Sequence, residues 1–440
     1  MDNTEIKSDK VLKRVLAIVV SVIILAIAFF GGYYTYYLTM DDDVKTFKWV
    51  MDSIKKYYYE EITDEELLNT ALSAISYNVL DAYSTYYSEE DYQLIQAQKE
   101  GNRVGTGMSF MTDSEGNGTN TILKVSGNSP SEKAGIKSGD IITKIGADES
   151  NMTVVTDFND IVNAFTAFSE NQTFNIEYTR DGTAQTTTLS KQAYTESYVY
   201  YKALEGNFGF FTNDNGSMVF IENAYDSAII SGIDSKTAYI KLTSFNGNAS
   251  EQFATAMSKF KADGKTKLIL DLRTNGGGYM DILQDIAAYL VYKPDTDLVA
   301  AKAKYKDGSV IAFKINSSYY ENYNFEEISV LGNAYTASAS ECLIGAMLDY
   351  GTLTRENLIV SEFEGNEGYT FGKGIMQTTF TNMFNSSAIK LTTATVHWPL
   401  SDTCIHGVGI NGTAVVTSSN RIVFTGADNE LARAVGNLSD

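Results

Sequence analysis

Two serines, one lysine and a run of three glycines are the residues whose types and spacing could do chemistry. Ser338 and Ser340 lie in "YTASASECLIGAMLDYG" at 335–351, where small residues lead into an apolar helix beginning near Ala339. A hydroxyl at a helix N-terminus is by default a cap; as a nucleophile it would need a neighbouring base. Lys373 stands between Gly372 and Gly374 in "YTFGKGIMQTTF" at 369–380, with Gln377 four positions on. In an extended strand residues four apart share a face, so Gln377 could orient the Lys373 amine; the plain alternative is a solvated lysine in a turn. A lysine serves as base at neutral pH only if burial or a positive field lowers its ordinary pKa of 10.4 by about three pH units, roughly 4 kcal/mol against the ammonium. Flanking glycines let the main chain pack closely around it. The third stretch is a buried strand, Leu268 to Leu272, running into Arg273-Thr274-Asn275-Gly276-Gly277-Gly278 and then a helix. Its bare amides suit an anion, either a phosphate or a developing oxyanion.

Other chemistries fit poorly. A Walker loop would need glycine at 367 and a hydroxyl residue at 374, where the chain has Glu367 and Gly374. His397 and His406 lack the spacing that puts two ligands on one helix face, and Cys342 and Cys404 are too few for a thiolate metal site or a disulfide framework. No metal and no cofactor is expected. The formal charge of −21 disfavours nucleic acid as a partner.

The elements that would position these residues can be read along the 440-residue chain, long enough for two or three folded units. Residues 1–14 read as a cytoplasmic tail. Residues 15–38 carry no charge and are long enough to cross a bilayer core of roughly 30 Å. Lys7, Lys10, Lys13 and Arg14 precede this run and Asp41 to Asp43 follow it, which predicts a single-pass cell-membrane anchor with the N-terminus cytoplasmic and the remainder outside. A cleaved signal peptide ending at Ala26-Ile27-Ala28 is the alternative. Residues 41–99 read as a helical region. Phe47, Val50, Met51, Ile54 and Tyr58 make one apolar stripe, and Thr63 with Glu66 forms a capping-box pattern before a second helix. Residues 100–194 alternate short strands, such as Thr121–Val125 and Phe174–Tyr178, with Gly, Asn and Ser turns. From 195 to 440 strands alternate with helices at 250–262 and 280–292, an α/β rhythm.

Two segments of the β-rich module resemble the PDZ family: "SPSEKAGIKSGDIITKI" at 129–145 and "VGTGMSF" at 104–110, its carboxylate-binding loop. Such a loop is Gly-rich because consecutive N–H groups must converge on one carboxylate while the peptide adds as a strand. Gly105, Thr106, Gly107 and Met108 are the matching positions; an ordinary β-turn is the alternative.

Taken together, "LDAYSTYYSEEDY", the PDZ-like segment, "AYIKLTSF", "LILDLRTNGGG", "ASASE", "FGKGIMQ", "IKLTTA" and "DNELARAV" resemble, in order, the C-terminal processing peptidases. The resemblance implies an α+β multi-domain protein with a peptidase core of the ClpP/crotonase type. It implies a serine endopeptidase whose nucleophile is Ser338, whose general base is Lys373 and whose orienting partner is Gln377. The oxyanion donors would be the N–H groups of Ala339 and of Gly277 or Gly278. Substrates would be polypeptides with accessible C-termini, captured by the PDZ module, which can gate the site; self-association stays open. A non-catalytic PDZ scaffold is the competing reading. Two departures stand out. Ser338 and Lys373 are 373 − 338 = 35 positions apart, longer than usual, with Thr354 to Asn357 and Glu364 to Tyr369 extending loops. Asn411-Gly412 replaces a customary Pro-Asp pair and is expected to touch the domain's edge.

Overall fold

The computed structural model describes residues 3–99, 102–113, 117–203, 208–214, 217–222, 232–291, 297–319, 321, 323–362, 368–416 and 428–439. They fall into two compact units, residues 1–82 and 83–440.

The smaller unit is helical. Its first helix, Asn3–Thr39, contains the window Val15–Gly32 of mean hydropathy 2.9, none of it buried, long and apolar enough to cross a membrane. Helices Asp42–Tyr57 and Asp64–Val79 follow, and Thr63 caps the latter by accepting the Glu66 N–H at 3.1 Å. The expected helical region to residue 99 is interrupted. Thr85–Tyr87 is a strand that pairs antiparallel with Ala388–Lys390, and the next helix, Glu89–Lys99, belongs with the larger unit. Residues 80–88 lose the apolar period of the preceding helices, and a tertiary strand partner takes their backbone bonds.

The larger unit begins with a β-rich module. Strands Met108–Thr112, Gly118–Val125, Ile141–Gly146, Thr173–Arg180 and Thr183–Ser190 form one antiparallel sheet, closed over a core of Ile122, Ile142, Ile161, Phe174 and Ile176. The strands expected at 121–125 and 174–178 lie within it. Helix Phe158–Ala167 is held by a capping box between Asp157 and Asp160.

The remainder is built on an eight-stranded sheet ordered Ser217–Glu222, Gly209–Asp214, Val199–Ala203, Thr237–Leu242, Lys267–Asp271, Glu327–Gly332, Leu358–Glu362, Thr413–Val416. From Thr237–Leu242 onward neighbours are parallel, as the strand–helix alternation requires. Helices Ala249–Ala262, Met280–Leu290 and Ala339–Tyr350 share one core with Leu268, Leu270 and Val330 of the sheet. The C-terminal helix Asn429–Ser439 packs Leu431, Ala434 and Leu438 against Ile269, Leu331 and Ile359, the side chains that alternate to the opposite face. A second sheet holds Val299–Tyr305, Val310–Lys314, Ile375–Thr381 and Ala388–His397. The functional loops leave the C-terminal ends of parallel strands, where such sheets place their sites.

Candidate active site

Strand Glu327–Gly332 turns sharply into helix Ala339–Tyr350, and Ser338 stands at the corner with φ 58° and ψ −116°. A non-glycine residue in that region is strained by about 1–3 kcal/mol and persists only where its surroundings hold it. They do so here. The Asn333 amide oxygen accepts the Tyr335 N–H at 3.0 Å, the Thr336 hydroxyl donates to the Leu272 carbonyl at 2.9 Å, and the Ala337 N–H donates to the Asn275 carbonyl at 3.0 Å. The same Asn275 carbonyl accepts the Ser340 hydroxyl at 3.0 Å, and Ser340 is fully buried. Ser340 is therefore a brace between two loops. Ser338, half-buried, opens on a cavity of about 910 Å³ that is also lined by Gly277, Gly278, Lys373 and Gln377.

The glycine loop lies directly on this corner. At Gly277, φ is 95°, and a Cβ would stand 2.8 Å from the Ala337 oxygen, the Ala339 nitrogen and the Ser338 Cβ. Its glycine is required by both its dihedral and that close approach. The Gly277 N–H itself donates to the Asn275 side-chain oxygen at 2.9 Å. This corrects the expectation that it could serve as an oxyanion donor, because a donor engaged by a buried amide is not offered to a ligand. Gly278, pinned with φ 151° against the Phe245 carbonyl, and Ala339 donate no backbone hydrogen bond among the described residues. Asn275 was not singled out in the sequence, yet it bonds to Leu242, Gly277, Ala337 and Ser340. The signal was an amide immediately before three glycines, the residue type able to satisfy a bare loop from within.

Lys373 is carried by a turn whose two glycines are packed against another. A Cβ on Gly372 would stand 2.7 Å from the Gly409 nitrogen, and one on Gly374 2.6 Å from the His406 nitrogen. The close main-chain packing expected of those glycines is thus present. Lys373 Nζ lies 4.7 Å from the centroid of the Tyr83 ring, a face that favours the ammonium form. The strand premise for Gln377 needs correction. The strand starts at Ile375, after Lys373, and a bulge at Met376/Gln377 breaks its alternation. Gln377 still faces the cavity, and its amide N–H donates to Thr392 Oγ1 at 3.0 Å.

A fully buried carboxylate ties these two segments together. Glu341 accepts the Ser338 N–H and the Lys373 N–H on Oε2, both at 2.9 Å; its Oε1 accepts the Gly372 N–H at 2.7 Å and the Thr370 hydroxyl at 2.5 Å. Burial holds its pKa above the usual glutamate range, against the pull of those bonds. Glu341 stood in the quoted "ASASE" run without a role.

Of the lengthened loops, 354–357 forms a turn leading into strand Leu358–Glu362, whereas 363–367 lies outside the described residues. Asn411 accepts from Arg355 Nη1 through its carbonyl at 2.6 Å, at the sheet's edge as expected.

On the loop's other side Arg273, 2% exposed, forks onto Asp271 at 2.7 Å and Asp428 at 2.9 Å. Tyr239 donates to the same Asp271 carboxylate at 2.5 Å. The pair ties the start of the C-terminal helix to the strand that feeds the glycine loop. Arg273→Ala leaves three buried carboxylates, those of Asp271, Asp428 and Glu430, without their cation and should cost about 3–5 kcal/mol, read as a lowered chemical-denaturation midpoint; an unchanged midpoint would refute this.

The PDZ-like loop is tightly packed on one side. Gly107 has φ 85°, and a Cβ there would stand 2.2 Å from that of Ser129. The Thr106 carbonyl accepts the Ser131 N–H at 3.0 Å and the Gly107 carbonyl the Ser126 N–H at 2.8 Å, which leaves the other edge of Gly105–Met108 on a cavity of about 470 Å³. That cavity shares Arg103, Lys124, Ser244 and Asn246 with the one holding Ser338.

Residues 236–416 match the peptidase family S41 and residues 102–190 the PDZ domain. A probable CtpA-like serine protease of Staphylococcus saprophyticus is 26% identical over 408 residues, covering 92% of this chain and 72% of the relative. Its counterpart in Staphylococcus epidermidis is 26% identical over 369 residues, 84% of this chain and 64% of that one, so the chain spans about two thirds of these relatives' length. A solved structure from Bacteroides fragilis, described as an S41 protease, superposes with a TM-score of 0.53 at 16% identity, covering 89% of this chain and 97% of that one, a likeness of fold. The chain thus joins a PDZ domain to a peptidase family S41 domain and is similar along most of its length to probable CtpA-like serine proteases.

Proposed function

We propose that the protein is an endopeptidase that captures polypeptide C-termini at Gly105–Met108 and cuts them with Ser338 as nucleophile and Lys373 as general base. The observation that carries the reading is the cavity: one continuous space bears the strained Ser338, Gly278 of the glycine loop, and Lys373, whose segment Glu341 ties to the serine corner.

In this reading the Ser338 hydroxyl attacks a peptide carbonyl as its proton passes to the neutral Lys373 amine, oriented by Gln377. The oxyanion is held by the N–H groups of Gly278 and Ala339. Lys373 then protonates the leaving amine, and water resolves the acyl-enzyme by the same route. Because the Tyr83 face favours the ammonium, Lys373 must leave that ring as substrate fills the cavity and dries it. Peptide capture at the PDZ loop is the event that moves it, so peptide activates. The apolar N-terminal helix anchors the protein in the cell membrane, N-terminus cytoplasmic and protease outside, as the flanking charges indicate.

A fluorophosphonate, which forms a bond to an activated serine with loss of fluoride, tests the assignment. It should label Ser338 and not Ser340, as located by peptide mass mapping, and a non-cleavable C-terminal peptide should speed the labelling. Degradation of an unfolded protein with no label on Ser338 would overturn the proposal.

A further inference from the structure

The charge lining the path between the two cavities is the reverse of the protein's own. The chain carries 34 basic and 55 acidic residues. Among the described residues lining the two cavities the basic side chains are Lys99, Arg103, Lys124, Lys191, Lys373 and Lys390, and the acidic ones are Asp281 and Glu196. Glu196 is already answered by Arg103 at 3.0 Å and Lys124 at 3.9 Å. Two of the remaining cations are placed without a carboxylate. Lys99 Nζ lies 4.7 Å from the centroid of the Tyr279 ring and Lys390 Nζ 5.6 Å from that of Tyr87, and neither forms an ion pair among the described residues. An aromatic face fixes an ammonium in position without cancelling its charge. Lys99 also sits beside the shared wall, on the larger cavity: its carbonyl accepts the Gly247 N–H at 3.1 Å, next to Asn246, and Tyr279 directly follows Gly278.

From this arrangement we infer that the enzyme selects substrates whose segment between the cleaved bond and the captured C-terminus is acidic, with Lys99, Arg103 and Lys124 as the groups that read it. The inference rests on the reading of capture and cleavage given above. A peptide whose terminal carboxylate sits at Gly105–Met108 and whose carbonyl lies at Ser338 must thread past the shared wall. A cleft lined mostly by one sign of charge concentrates its field along that path. At 0.1 M salt the remote acidic surface is screened over about 10 Å, so the local cations decide.

Three peptides with the same apolar C-terminal residues and free carboxylate, carrying three Glu, three Gln or three Lys midway, provide the test. Their affinities for the full-length Ser338→Ala chain in non-ionic detergent, read by anisotropy of an uncharged fluorophore, should run Glu, Gln, Lys from tightest to weakest. A tenfold span at 0.1 M salt should shrink at 0.5 M, and Lys99→Glu should compress or reverse it. Equal affinities, tighter binding of the Lys peptide, or no binding of any would overturn the inference. Cleavage of the Gln peptide by the wild type and not by Ser338→Ala tests the protease reading separately. If that peptide is cut while affinities are flat, only the charge selection fails; if affinities follow charge and nothing is cut, only the protease reading fails.

Discussion

Replacing Lys373 with alanine is expected to lower kcat/KM on an unfolded polypeptide by about 10³- to 10⁴-fold, to the level of Ser338→Ala. The double variant should be no slower than either single one, because in the proposed mechanism nucleophile and base act as a unit and the first loss already removes what the second would. Lys373→Arg should be as inactive as Lys373→Ala. A guanidinium keeps the positive charge near Tyr83 and can fill the turn, but it does not give up a proton at any pH the protein survives. The arginine variant therefore separates a proton acceptor from a mere cation. Activity within tenfold of wild type in Lys373→Arg would mean that the side chain only binds substrate. Selection of Ser338 over Ser340 predicts that Ser340→Ala keeps the chemistry while losing a brace to Asn275.

Much of this architecture was legible in the chain because it rests on period and order. The apolar run at 15–38, the short strands of the 100–194 module and the strand–helix alternation after 195 follow from side-chain spacing, and each has its element in the structure. The exception was residues 80–88, where a strand partner from residues 388–390 decides the backbone, and no local pattern reports a partner 300 positions away.

The site was legible as residue types and not as a hydrogen-bond plan. The glycines at 277, 372 and 374 could be recognised as places of close approach, and each is one. Which amide stays available could not be read, since that depends on Asn275 folding its side chain back onto Gly277. Likewise the four-residue step from Lys373 to Gln377 presumed a strand that begins two residues too late and carries a bulge.

Glu341 is where the largest loss beyond the dyad is expected. Its two oxygens collect the N–H groups of Ser338, Gly372 and Lys373 and the hydroxyl of Thr370. Glu341→Ala strands these donors in a buried space, each costing about 1–3 kcal/mol, and frees the lysine turn from the serine corner. We expect at least a 10²-fold fall in kcat with a smaller change in KM, since on the proposed reading the groups displaced are those that react and not those that capture the peptide. Glu341→Gln is the sharper variant: it keeps the shape, but its NH₂ must face one of the N–H groups, so it should also lose activity. Full activity in Glu341→Gln would show that the carboxylate does not position the pair. The pH dependence gives an independent reading. Burial raises the Glu341 pKa above its unfolded value, so between the two the folded chain holds a proton that the unfolded chain has released, and this group's contribution to stability grows as pH falls. Asp271 has the opposite sign, because Arg273 and Tyr239 overcome its burial and lower its pKa, and its contribution is lost only as pH falls through that lower value. On acidification activity should therefore decline before the fold does, because the proposed mechanism needs the Lys373 amine neutral and because Glu341, once it takes up a proton, can no longer accept on both oxygens. The unfolding temperature should fall later, at lower pH. Coincident loss of activity and fold would assign the acid limb to denaturation and remove Glu341 from the account of it.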